Sequence, residues 1–108
     1  MSADATILQR LSASIAARRG ADPAQSYVAS LLGKGQDAIL RKIAEEAAET
    51  LLASKDGDKL EVAHEVADLW FHTLVLLAWH GLSIDDVCAE LQRREGVSGI
   101  AEKAARSK

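Results

Sequence analysis

The sequence predicts an all-α protein, a bundle of four to five helices. The composition favours helices over a sheet, because 48% of the residues are apolar while aromatic residues make up 4% and proline occurs once. Apolar residues also recur at intervals of three and four along most of the chain. Glycines and capping residues separate these amphipathic stretches. At 108 residues, we expect the whole chain (1–108) to form one domain around a single core.

Glycine-containing turns delimit the first two predicted helices. The first covers residues 4–19 and ends at Gly20, a suitable C-cap. The second begins at Pro23, which suits the first position of a helix. It ends before Gly33-Lys34-Gly35, because two glycines cost about 1 kcal/mol each inside a helix. This segment is expected to be a simple turn, and the alternative is a basic loop that holds Lys34 near an anion.

Two long helices are predicted in the middle of the chain. One covers 37–54, and its predicted buried stripe consists of Ile39, Leu40, Ile43, Ala47 and Leu51. The other covers 59–80, after an Asp58–Glu61 capping box, and is apolar on nearly all sides. Because such a helix needs partners on every side, we predict a homodimer, with a purely internal core as the alternative. The predicted interface contains one or more of Trp70, Phe71, Leu74 and Trp79.

The last predicted helix opens on a second capping box, Ser83-Ile84-Asp85-Asp86, and ends at Gly96. Arg93 and Arg94 lie near its C-terminus, where they complement the helix dipole. The tail, residues 97–108, is expected to be either a short docked helix or a mobile, frayed end.

Charge, hydropathy and cysteine content exclude several classes of protein. The net charge of −3 argues against nucleic-acid binding, which requires a basic surface. The longest apolar run, Leu74 to Trp79, is too short to cross a membrane, and the N-terminus lacks a signal-peptide pattern. The single cysteine, Cys88, cannot form an internal disulfide, and we expect it to be a packed thiol. These features predict a cytoplasmic protein.

Acidic residues on the two central helices predict a metal site. Glu46 and Glu49 share one helix face. Glu65 and Asp68 share a face of the next helix, so antiparallel packing directs four carboxylates toward one place. One lysine, Lys42, cannot neutralise four carboxylates, whereas Mg²⁺ binds carboxylate, water and phosphate oxygens. A magnesium site is therefore predicted, with a structural salt bridge to Lys42 or a solvated acidic face as alternatives.

A di-iron site is a further alternative. Glu61-Val62-Ala63-His64 has the Glu-x-x-His spacing of ferritin-like iron ligands. The sequence holds no second pair of this kind, and His64 is expected on a different face from Glu65 and Asp68. We therefore interpret His72 as a packing residue or a support for the acidic site, and His64 and His80 as surface residues.

The acidic motifs resemble the signature of a known superfamily. Glu45-Glu46-x-x-Glu49 followed by Glu65-x-x-Asp68 resembles the all-α nucleoside triphosphate pyrophosphohydrolases, the MazG-like superfamily. Within it, the flanking motifs are similar to those of the phosphoribosyl-ATP pyrophosphohydrolase family. These motifs are Asp22-Pro23, Ser26-Tyr27, Lys42, His72-x-Leu74-Val75-Leu76-Leu77, Gly81-Leu82-Ser83 and Ser98-Gly99-x-x-Glu102-Lys103-Ala104. The resemblance covers residues 21–94, and Ile43-Ala44 replaces the more usual Val-Gly, a mild change in helix packing.

This resemblance implies hydrolysis of phosphoribosyl-ATP to phosphoribosyl-AMP and pyrophosphate, the second step of histidine biosynthesis. It implies a stand-alone enzyme without a fused cyclohydrolase domain. Mg²⁺ would be held by Glu46, Glu49, Glu65 and Asp68. The candidate catalytic residues are Glu45, Glu49 and Lys42, with Glu45 or Glu49 accepting the proton of the attacking water. The candidate phosphate contacts are Lys34, Lys42, Arg93 and Arg94.

Two rival functions stay open. One is a house-cleaning pyrophosphohydrolase that acts on another nucleoside or deoxynucleoside triphosphate through the same metal site. The other is a non-catalytic helical dimerisation module, which predicts no magnesium-dependent change in melting temperature.

Overall fold

The computed structural model describes residues 4–106, apart from the side chain of Glu102, and within that range it is entirely helical. Six α-helices follow one another without an intervening strand. They are α1 (Ile7–Ala17), α2 (Tyr27–Lys34), α3 (Gln36–Asp56), α4 (Lys59–Trp79), α5 (Ile84–Arg94) and α6 (Gly99–Arg106). The prediction of an all-α bundle is confirmed. Across the described residues, each helix is either too short or too polar to span a membrane.

An antiparallel hairpin of α3 and α4 dominates the fold. Each helix has 21 residues, about 32 Å at 1.5 Å per residue. Gly57 ends α3 in the left-handed conformation (φ 76°), which a glycine adopts without steric cost. Asp58 then caps α4 by accepting a hydrogen bond from the backbone N–H of Glu61 (3.1 Å). Because the connection is so short, the two acidic segments of α3 and α4 face each other.

The buried core lies at one end of this hairpin, opposite the Gly57 turn. There α1 packs against α4, and α2 packs against α3 and α4. The core residues are Ile15, Val28, Leu31, Ile39, Leu74, Val75 and Ala78. Arg19, just beyond α1, donates hydrogen bonds to the carbonyl groups of Ala78 and Trp79 at the end of α4. The end of the hairpin nearest Gly57 lacks this covering.

Because α1 and α2 cover only one end of the hairpin, part of the predicted buried stripe of α3 is exposed. Ile39 is fully buried, but Leu40 is 43% exposed and Leu51 is 69% exposed. Periodicity identified the apolar face, yet α1 and α2 cover only the half of the hairpin that contains the core. Cys88 is also exposed, so the expectation of a packed thiol is wrong.

The start and end of α2 also differ from the prediction. The helix begins at Tyr27, because the Ser26 hydroxyl accepts a hydrogen bond from the backbone N–H of Ala29 (3.1 Å) and is the better cap. Pro23 lies in the preceding turn instead. The helix also continues through Gly33 and ends only at Gly35 (φ 101°), the one glycine of the pair that adopts a positive φ.

The C-terminal helices follow the capping signals. α5 begins with the predicted capping box, in which Ser83 and Asp86 satisfy each other's backbone N–H groups. The Ser12 hydroxyl on α1 accepts a further hydrogen bond from the backbone N–H of Ile84 (3.1 Å), which attaches the start of α5 to α1. The predicted tail forms α6, whose described side chains are exposed. Residues 107–108 of that tail lie outside the described residues.

The helix predicted to be buried on all sides, α4, is only partly covered by the rest of the described chain. Trp70 is 54% exposed and Trp79 is 36% exposed, whereas Phe71 is half-buried. Leu74 is 3% exposed and belongs to the core. Trp70 and Trp79 are therefore the exposed members of the predicted interface set.

Candidate metal centre

Three carboxylates come together between α3 and α4. One oxygen from each of Glu46, Glu49 and Glu65 lies within 4.8 Å of the other two. Glu46 and Glu49 are three residues apart on α3 and therefore share a face, and the antiparallel hairpin brings Glu65 of α4 against that face. Glu46 is 6% exposed and Glu65 is 8% exposed, whereas Glu49 is exposed to solvent. The cluster is thus buried at its base and open at one side.

Two buried carboxyl oxygens of the cluster lack hydrogen-bonding partners within the described part of the chain. Among the described residues, Glu46 Oε2 and Glu65 Oε2 are buried and have no partner. Burial raises the pKa of Glu65 to about 8, and hydrogen bonding with the carboxyl groups of Glu61, Glu49 and Glu46 contributes to this rise. Buried polar atoms without partners are rare in folded proteins. Hard carboxylate oxygens in this arrangement fit Mg²⁺, which would satisfy both atoms.

Lys42 lies beside the cluster on the same helix. Its Nζ is 3.5 Å from Glu45 Oε2 and 3.7 Å from Glu46 Oε1. Partial burial lowers the pKa of Lys42, but Tyr27 and the two glutamates outweigh this effect, so the pKa lies above its ordinary value. Lys42 is therefore a permanent cation next to the acidic cluster, and Glu45 is its exposed partner rather than a member of the three-carboxylate group.

Asp68 lies outside the group of three carboxylates. Its side chain is 42% exposed, and its Oδ2 is 3.4 Å from His64 Nε2. His64 also approaches Glu61 and Glu65, with ligand atoms of all three within 4.8 Å of one another. The interpretation that His64 falls on a different face from Glu65 and Asp68 is therefore wrong, because residues four apart on a helix, such as His64 and Asp68, are neighbours on one face. His64 is exposed, as expected of a surface residue.

A third helix, α2, contacts α4 near Asp68, because Tyr27 of α2 meets His72 of α4. The Tyr27 hydroxyl lies 2.8 Å from His72 Nε2, and His72 Nδ1 lies 2.8 Å from the backbone carbonyl of Asp68. Burial raises the pKa of Tyr27, Lys42 lowers it, and Glu46 and other nearby acids raise it further. Through His72, Tyr27 is connected to the segment of α4 that bears Asp68. Helical periodicity did not identify Tyr27 as a site residue, although the family motif Ser26-Tyr27 includes it.

The other predicted phosphate contacts lie elsewhere in the fold. Lys34 is exposed in the last turn of α2. Arg94 Nε lies 3.0 Å from Glu90 Oε1, and Arg93 Nε lies 3.0 Å from Glu90 Oε2, on the outer surface of α5. These two arginines hold the pKa of Glu90 down at about 2. Contact of Lys34, Arg93 or Arg94 with a phosphate stays a prediction.

Comparison with known proteins identifies similar sequences over most of the chain. The family model described as phosphoribosyl-ATP pyrophosphohydrolase matches residues 8–95. The phosphoribosyl-ATP pyrophosphatase of Chromobacterium violaceum is 63% identical over 100 residues, which cover 93% of each chain. That of Nitrosospira multiformis is 65% identical over 103 residues, covering 95% of this chain and 85% of the relative. That of Aromatoleum aromaticum is 61% identical over 104 residues, 96% of each chain.

Proposed function

The chain belongs to the phosphoribosyl-ATP pyrophosphohydrolase family, and we propose that it hydrolyses phosphoribosyl-ATP to phosphoribosyl-AMP and pyrophosphate in histidine biosynthesis, in a magnesium-dependent reaction. One observation carries the proposal beyond family membership. Two helices direct Glu46, Glu49 and Glu65 to one point, and two of their buried oxygens have no partner among the described residues. Three converging carboxyl groups with two buried oxygens unsatisfied keep their charge at low cost only when a cation binds among them.

The chemistry of the substrate explains why an acidic site suits it. A triphosphate is a polyanion, so carboxylates meet it favourably only across a divalent cation. Glu46, Glu49 and Glu65 would hold Mg²⁺. Asp68, three residues after Glu65 on α4 and outside that group, would join these ligands once the metal is bound. When bound, the metal neutralises phosphate charge and so stabilises the departing pyrophosphate.

Residues at the open side of the cluster perform the remaining steps. Glu45 and Glu49 are both exposed, so each is accessible to a water molecule. Either carboxylate, in its ionised form, accepts the proton of the attacking water. Lys42, as a cation beside them, binds a phosphate oxygen of the substrate.

We also propose that the enzyme is a cytoplasmic homodimer. Large apolar side chains are exposed near the Gly57 turn, with Leu51 at 69%, Leu52 at 64% and Leu60 at 86%. Together with Trp70 on α4, which is 54% exposed, they form an apolar surface on the hairpin. In a monomer this surface would be in contact with water. A second copy that covers this surface would complete the bundle. A single cysteine without a disulfide partner suits the reducing cytoplasm.

The direct test is pyrophosphate release from phosphoribosyl-ATP in the presence of Mg²⁺. Glu46→Gln and Asp68→Asn are expected to abolish it, since each removes a charged oxygen at the site, while Glu95→Gln at the end of α5 keeps activity. Near wild-type activity in both site variants would refute the assignment. A panel with dUTP and dCTP separates the substrates, and faster release from either would favour the house-cleaning reaction.

A further inference from the structure

His64 brings an imidazole ligand to the exposed side of the acidic cluster. One ligand atom from each of Glu61, His64 and Glu65 lies within 4.8 Å of the other two. The second and third of these residues follow the first by three and four positions on α4, so all three share one face of a single helix. This group has only Glu65 in common with the three carboxylates that α3 and α4 bring together. Helix period alone therefore assembles a second set of metal ligands beside the first.

The burial of Glu65 indicates that a ligand belongs in this group. Glu65 is 8% exposed, and its Oε2 is buried without a hydrogen-bonding partner in the part of the chain that the structure describes. A buried polar atom in that state is rare, and a bound ion or water commonly explains it. Glu61 and His64 are exposed, so an ion from solvent can reach the Glu65 carboxylate between them. The group thus combines a buried ligand with an open approach.

The imidazole determines which metals suit this group. Mg²⁺ prefers oxygen ligands, whereas imidazole suits Zn²⁺ and other first-row transition metals. Zinc binds histidine nitrogen and glutamate oxygen at about 2.0–2.2 Å, and a site with three protein ligands keeps a fourth position for water. Ligand atoms around a tetrahedral ion of this size lie about 3.4 Å apart. The ligand atoms of the group therefore need to approach one another by no more than about 1.4 Å, which rotation of the exposed Glu61 and His64 side chains can supply.

A further carboxylate lies next to the imidazole. Asp68 Oδ2 is 3.4 Å from His64 Nε2. Histidines that bind metals usually have a carboxylate or carbonyl beside the ring, which orients the imidazole and raises its basicity as a ligand. The surroundings of His64 therefore match those of a metal-binding histidine.

We propose that Glu61, His64 and Glu65 form a binding site for a divalent transition metal, represented by Zn²⁺, on the exposed face of α4. Glu65 is also a ligand of the proposed magnesium site. An ion bound with His64 therefore withdraws a carboxylate from magnesium, so the two metals compete. The binding of zinc does not depend on the identity of the substrate, whereas inhibition of catalysis through this competition rests on the proposed function.

The binding test uses calorimetric titration of the full chain with Zn²⁺ in the absence of magnesium. His64→Gln should weaken zinc binding about 10-fold or more, because loss of even a hydrogen-bonding partner of a metal ligand costs about 10- to 100-fold in affinity. Glu61→Gln should have a similar effect. The matched control is His80→Gln, which removes the exposed imidazole at the other end of α4 and should bind zinc as the wild type does.

Zinc held by the carboxylates alone gives a different pattern. The affinity of His64→Gln for zinc would then equal that of the wild type, and this result would overturn the proposal. The ring-nitrogen resonances of the wild-type histidines give a readout that needs no variant. Zinc should shift a ring nitrogen of His64 and leave those of His80 unchanged. Ring nitrogens of His64 that do not respond to saturating zinc would also overturn the proposal.

Kinetics test the competition and separate it from the proposed function. Zinc should inhibit magnesium-dependent pyrophosphate release, and more magnesium should relieve the inhibition. His64→Gln should need about 10-fold more zinc for half-inhibition, when each protein is compared with its own rate in magnesium alone. Equal inhibition of the wild type and His64→Gln would refute the competition. If the wild type does not act on phosphoribosyl-ATP, yet zinc binds through His64, the proposed function is wrong and the zinc site stands.

Discussion

Magnesium is expected to stabilise the folded chain, because it would satisfy the buried oxygens of Glu46 and Glu65 that have no partner among the described residues. A ligand that binds only the folded state adds RT ln(1 + [L]/Kd), about 1.4 kcal/mol at ten times Kd. For a domain of this length, 1 kcal/mol raises Tm by about 4 °C. Saturation to that level should therefore raise Tm by about 6 °C over the protein in a chelator.

The melting temperature should also depend on pH, because the pKa of Glu65 differs between the folded and unfolded chain. The pKa of this carboxyl is about 8 in the folded chain, against 4.5 for an ordinary glutamate. Between these values the folded state binds a proton that the unfolded state has lost, so the free energy of unfolding decreases as pH rises. Without magnesium, Tm should fall from about pH 5 to pH 8. The increase in Tm on adding magnesium should be larger at high pH, because the metal competes with that proton.

Thermal unfolding followed by circular dichroism, with magnesium or with a chelator, measures both effects. Glu65→Gln should lose most of the magnesium-dependent rise and flatten the pH dependence of the chelated protein. Glu95→Gln, an exposed substitution outside the cluster, should retain both. A wild-type Tm that magnesium does not change would refute the metal site. A full magnesium response in Glu65→Gln would show that the ion binds elsewhere.

Three further predictions concern assembly and stability. Light scattering during size exclusion should give a dimer mass for the wild type and a lower mass for Trp70→Glu; a wild-type monomer at micromolar concentration would refute the dimer. Ser83→Ala should cost about 1 kcal/mol in urea unfolding, because it removes the cap of α5, and an unchanged midpoint would contradict this. Ile39→Val should cost about 0.5–1.5 kcal/mol, since Ile39 is fully buried, and a stabilised variant would contradict the core assignment.

Capping residues and glycines predicted most helices because their signals are local. The Ser83–Asp86 box and the Gly57 turn each depend on atoms within four residues, so the sequence specified where α4 and α5 begin. The predicted start of α2 at Pro23 is wrong by four residues, because the helix begins at Tyr27. The structure uses Ser26, whose hydroxyl accepts from the Ala29 N–H, while Asp22 holds the preceding turn through the Ala24 N–H.

The extent of burial could not be predicted in the same way. A stripe such as Ile39 to Leu51 identifies which side of α3 is apolar, but it carries no information on how far the neighbouring helices extend along it. Because α1 and α2 are short, they cover Ile39 and leave Leu51 exposed within one chain. How far a neighbour covers Leu51 depends on tertiary packing, which the periodicity of a single helix does not contain.

The acidic site shows the same division between what the backbone determines and what side chains determine. Glu46, Glu49 and Glu65 converge because helix period and antiparallel pairing fix the directions of their Cα–Cβ bonds. Tyr27 and His72 meet instead through hydrogen bonds that cross between helices, from the Tyr27 hydroxyl on α2 to His72 and from His72 to the Asp68 carbonyl on α4. No spacing rule within a helix predicts such a contact. A helical hairpin therefore suffices to bring the carboxylates together, whereas the hydrogen bond to His72 requires a third helix, α2.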